Sequence, residues 1–100
     1  MRATLTLPHG ANGDALAQAL VHLPVTLRRA ELQADGARPV LLAMQAAGRA
    51  SYLFHDLTPA DAADIAATVA AYLDAPDGWI VDARPCGRLR LCLKTRIPSG

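Results

Sequence analysis

One hundred residues, 52% of them apolar, can close one hydrophobic core but not two, so a single domain spanning 1–100 is expected. Ten bases against nine acids leave a formal net charge of +1, which argues against a general polycation, and no apolar run approaches the roughly 18–20 residues of a membrane helix. Aromatics are only 4% and much of the apolar content is alanine, so the core must be thin and closely packed.

Arg2–Leu7 alternates leucine with threonine and reads as a half-buried strand ended by Pro8 and Gly10. A helix follows, capped by Asn12, with Asp14 in its first turn and Leu16, Leu20 and Leu23 on one face; Pro24 closes it. Val25–Gln33 reads as a strand whose alternation slips, which a bulge at Arg28-Arg29 would repair. Asp35-Gly36 is a two-residue hairpin signal. Pro39–Gln45 is apolar on both faces, Val40, Leu42 and Met44 against Leu41 and Ala43, as expected of a strand covered on both sides. After the Ala47-Gly48 turn, Ala50–Asp56 forms a further strand.

Thr58-Pro59-Ala60-Asp61 opens the second helix, with a hydroxyl at the cap, proline at the first helical position and a carboxylate at the third. Its apolar stripe is Ile65, Val69, Tyr72 and Leu73. A turn at Ala75–Gly78 leads to a strand at Trp79–Ala83. The last strand, Arg88–Ile97, alternates Leu89, Leu91, Leu93, Thr95 and Ile97 with Arg88, Arg90, Cys92, Lys94 and Arg96, so one face is core and the other basic. The order β-α-β-β-β-α-β-β predicts an α+β two-layer sandwich with both helices on one face of a mainly antiparallel sheet, and it divides into two β-α-β-β halves. The stretch Asn12–Leu73 has the element order of a double-stranded-RNA-binding domain, but its second helix opens with aspartates where such domains place lysines, so no membership follows.

Near-neutral net charge hides an asymmetry. Residues 50–83 carry six acids and no lysine or arginine, whereas residues 84–100 carry five bases and no acid. The basic row Arg88, Arg90, Lys94 and Arg96, with Arg28 beside it, is the candidate surface for an acidic protein or a nucleic-acid backbone. No stacking ring lies among these residues, which disfavours nucleic acid. The same charges would also guard an exposed strand against unwanted pairing.

Catalytic candidates are fewer. His55 and Asp56 stand together at a strand end, but adjacent strand residues face opposite ways. Asp82 is expected to bond across the hairpin to Arg88 or Arg90. His9, His22, His55, Cys86 and Cys92 lack ligand spacing, so no metal and no cofactor is expected. Cys86 and Cys92, six positions apart in an extended arm, cannot bridge, and Cys92 would be an activated thiol if exposed in the basic row. Free thiols, together with Pro8, His9 and Gly10 interrupting any leader-like run, point to a cytoplasmic protein; the preference for arginine over lysine points to a GC-rich bacterial genome.

The expected function is noncatalytic: an adaptor, chaperone or inhibitor that binds a protein partner, or itself as a homodimer, through the open sheet face and its edges. The strand surplus of Leu41 and Ala43 supports that expectation. Nucleic-acid binding through the last strand, and a small enzyme or ligand-binding domain around His55, Asp56 and Asp82, are the alternatives.

Overall fold

The computed structural model describes residues 2–32, 34, 35 and 38–97. Its strands are β1 (Thr4–Leu7), β2 (Thr26–Arg29), β3 (Ala34–Asp35), β4 (Arg38–Gln45), β5 (Ser51–His55) and β6 (Leu93–Ile97). The helices are α1 (Ala11–Leu20), α2 (Ala62–Asp74) and a single turn, α3 (Leu89–Cys92). The main sheet runs β2-β1-β4-β5-β6, with β3 added to β4. It is an α+β two-layer sandwich, antiparallel except where β1 and β2 run parallel across α1.

Local chemistry explains most of the element boundaries. Gly10, at φ 99°, caps α1 in place of the expected Asn12, two residues later, and the Asp14 amide donates to the Gly10 carbonyl at 2.9 Å. Gly13 lets the helix touch the incoming chain: a Cβ there would lie 1.7 Å from the Pro8 carbonyl oxygen. The start of the second helix is as expected. A 3-10 turn at Pro59–Asp61 leads into α2, and the Asp61 carboxylate reaches back to accept the Thr58 amide at 2.8 Å. At the other end, Arg49 donates to the Ala75 carbonyl at 2.5 Å, placing a cation at the negative end of α2.

The core lies between the sheet and the helices. Leu5, Leu7, Leu42, Met44, Tyr52 and Phe54 from the strands meet Leu16, Leu20, Ile65, Val69 and Tyr72 from the helices. Two tyrosines satisfy their hydroxyls inside it: Tyr72 donates to the Ala50 carbonyl at 2.5 Å, and Tyr52 accepts the Ile80 amide at 2.8 Å. Their rings meet edge to face at 5.5 Å.

Several expectations are corrected. The bulge proposed at Arg28-Arg29 is absent, because β2 pairs with β1 in unbroken parallel register from Thr26 to Arg29. The irregularities fall instead within β4, between Val40 and Leu42, and within β6, where Leu93 faces Phe54 but Thr95 already faces Leu53, leaving Lys94 as the extra residue. Trp79–Ala83 is not a strand, and β6 begins only at Leu93. Asp82 accepts the Arg84 amide at 3.1 Å and so turns the chain, Pro85 has no amide to offer a ladder, and Gly87 stands at φ 59°. A 3-10 turn at Arg84–Cys86 and then α3 fill this segment, with Leu89 and Cys92 buried three residues apart as on a helix. The two halves therefore differ: β1 and β2 are parallel, whereas β5 and β6 are antiparallel. Of the Asp35-Gly36 turn, Asp35 belongs instead to β3, paired antiparallel with Arg38 of β4, and Gly36 lies outside the described residues.

Candidate functional site

The bulge in β6 decides where its charges go. One row of paired residues under the helices runs Leu27, Leu5, Met44, Tyr52 and ends at Arg96. The neighbouring row on the opposite face runs Arg28, Thr6, Ala43, Leu53 and Thr95. The expectation of an apolar Thr95 and Ile97 face and a basic Lys94 and Arg96 face is thus overturned. Arg96 leans over the helix side, its guanidinium 4.1 Å from the Trp79 ring centroid and 3.4 Å from the Ile80 carbonyl oxygen.

Nor do the basic residues form one row. Arg28 lies on β2, at the sheet edge opposite β6. Arg88 is committed to the protein itself. It makes a bidentate bond to Asp61, Nε to Oδ1 at 2.8 Å and Nη2 to Oδ2 at 2.9 Å, and also donates to the Asp56 carbonyl. Its backbone amide donates to the Asp64 carboxylate at 3.1 Å. The hydrogen bond from Arg88 is the main reason the Asp61 carboxyl lies below its usual range; desolvation opposes it. Arg90, exposed on α3, and Arg96 remain near each other, flanking a cavity of about 50 Å³. Buried Tyr52, Phe54 and Leu89 with half-buried Leu93 supply its apolar wall.

The open sheet face carries little of the expected apolar surplus. Ala43 is buried and Leu41 half-buried, while Thr6 and Thr95 occupy the same row as Ala43. Large exposed apolar side chains lie elsewhere: Trp79, Val81, Leu91 and Ile97 all belong to the segment that ends in β6, and Val21 follows α1. Sequence reading missed this cluster because it made Trp79 and Val81 strand residues. The lone tryptophan seventeen positions before an arginine gave no local signal of their stacking.

The remaining candidates stay apart. His55 Nδ1 lies 3.1 Å from Asp56 Oδ2, a contact made because Asp56 adopts φ 60° rather than extended geometry. Asp82, expected to reach Arg88 or Arg90, instead forms an exposed pair with Arg84 at 2.8 Å. It lines a shallow hollow with Asp74 and Val81 that includes neither His55 nor Asp56. Cys86 and Cys92 are both free and buried, and burial pushes the Cys92 thiol up, so it is not an activated nucleophile. Among the described residues no group of three histidine, cysteine or acidic side chains could hold a metal ion. No described helix is long and apolar enough to cross a membrane.

No curated protein and no solved structure matches the chain. Residues 9–99 match a family described as a protein of unknown function, and with nearly its whole length inside that match the chain belongs to the DUF1636 family.

Proposed function

We propose that this protein is a noncatalytic interaction module that docks an acidic segment of a partner protein along the β6 edge. The observation that carries this reading is the pair of exposed apolar side chains at the two ends of that strand, Leu91 just before it at 73% and Ile97 at its end at 50% exposure. Among the described residues β6 pairs on one side only, with β5, so its outer backbone groups suit an added strand. Lys94 and Arg96 favour acids on that strand. They also disfavour a second copy of this chain: in a two-fold antiparallel pairing centred on Thr95, Lys94 of one copy would face Arg96 of the other. Nucleic acid is the weaker reading, since Arg28 lies at the opposite sheet edge and Arg88 is paired with Asp61.

The test uses a ten-residue peptide alternating glutamate and valine, titrated into isotopically labelled protein. Backbone amide shifts confined to Leu93–Ile97 and neighbouring α3, lost in a Lys94→Glu and Arg96→Glu double variant, are expected. No saturable shift, shifts centred on β2, or equal response to a poly-dT oligonucleotide would sink the reading.

A further inference from the structure

The apolar cavity beside β6 bears on what a docked segment must carry. We infer, resting on the docking reading above, that this cavity is the socket for one aliphatic side chain of valine size on the strand added to β6. Buried Phe54 and Leu89, with Leu93 of β6, make its wall apolar. The side chains in the lining that bear oxygen or nitrogen are engaged elsewhere. The Tyr52 hydroxyl accepts the Ile80 amide at 2.8 Å, the Thr68 hydroxyl donates to the Asp64 carbonyl at 2.7 Å, and the Arg96 guanidinium stacks on Trp79. Arg90, the remaining one, is exposed. A water molecule held inside a protein needs about two to four polar partners, and this wall offers few, so an aliphatic group entering it displaces little that is well held.

Position ties the cavity to the edge strand. Leu93 and Arg96 of β6 both line it, and both stand on the helix side of the sheet, since they pair with buried Phe54 and Tyr52. Facing residues on neighbouring strands share a face, so the helix-side residues of a strand added to β6 would continue that row. Arg90 and Arg96 are the exposed members of the lining, which puts its solvent side by β6 and α3 rather than beneath α2. Size limits the occupant. A cavity of about 150 Å³ lined by aliphatic side chains holds benzene, whereas about 50 Å³ leaves room for an isopropyl group and not for a ring. In strand addition the backbone supplies affinity and pockets for alternate side chains supply specificity. Lys94 and Arg96 thus favour an acidic segment, and the socket favours one small branched aliphatic residue within it.

The probes are ten-residue peptides alternating glutamate and threonine, with one central threonine kept or replaced by valine or phenylalanine. Valine and threonine share their shape and their preference for strands, so at the socket they differ only in the hydroxyl. Titrated into isotopically labelled full chain, the valine peptide should bind about tenfold more tightly than the threonine one, because a buried hydroxyl without a partner is costly. The phenylalanine peptide should gain nothing over threonine. Isotope-filtered NOEs should join the valine methyls to Phe54 and Leu89. Ala83→Leu, at a half-buried position of the lining, should fill the cavity and erase the preference for valine while keeping the amide shifts along Leu93–Ile97. The peptide comparison on the unaltered chain decides the matter even where that variant does not fold. Equal affinity for valine and threonine, with amide shifts still centred on β6, overturns the socket and leaves the docking intact. A phenylalanine peptide that binds tightest also overturns it, since plain hydrophobic contact then accounts for the gain. No saturable binding by any of the peptides overturns the docking and the socket together.

Discussion

Asp61 is the residue on which two structural roles meet. It accepts the Thr58 amide at the head of α2 and holds the Arg88 guanidinium, with a side chain only 7% exposed. Its folded pKa lies below the unfolded value of about 3.9, so the pair stabilises the fold above that pH and the contribution is lost as pH falls through the lower, folded pKa. Asp61→Asn should therefore cost about 1–3 kcal/mol at pH 7 and flatten the loss of stability on acidification below about pH 4. Urea unfolding of both proteins from pH 7 to pH 2 checks this; parallel pH profiles would refute it. The sequence disclosed half of the arrangement. Thr58-Pro59-Ala60-Asp61 marked a helix start by local rules, but the arginine that Asp61 holds comes 27 positions later, and no local rule links them.

At the scale of elements, the segment between α2 and β6 is where regular alternation misled. Arg88–Ile97 has strand periodicity throughout, yet its first part is a helical turn, because Gly87 redirects the chain and the Arg88 amide and side chain are drawn to α2. Gly87 combines φ 59° with ψ −129°, and a Cβ there would lie 2.5 Å from Asp64 Oδ1. Gly87→Ala should destabilise the protein by about 1–3 kcal/mol through that strain and crowding. A thermal melt reads the loss, and an unchanged midpoint would show that the segment relaxes freely. Helices and short strands with strong boundary signals, such as α2 and β5, were legible because their caps and alternation agree. The inverted facing of Arg96 was not, since one bulged residue reverses every side chain beyond it and nothing in Leu-Lys-Thr-Arg-Ile announces the bulge.

For the whole molecule, both outer strands of the sheet carry basic side chains. β2 ends one side with Arg28 and Arg29, and β6 ends the other with Lys94 and Arg96. Like charges brought together by edge-to-edge pairing oppose it, so light scattering at low ionic strength should give the mass of a monomer, 10.5 kDa. A dimer at low salt would contradict this; one formed only near 1 M salt would agree with it, because screening then removes the repulsion. The amino-acid sequence by itself determined the α+β class, the two main helices and the division into an acidic middle and a basic end, since periodicity, caps and charge runs are properties of neighbouring residues. Tertiary structure alone decided that β1 and β2 run parallel, that Arg88 is spent on Asp61 while Arg96 rests on Trp79, and that Tyr52, Phe54 and Leu89 together wall a small apolar cavity. Each of these depends on which distant segments pack together, and packing is settled by the whole chain's burial rather than by any one stretch of it.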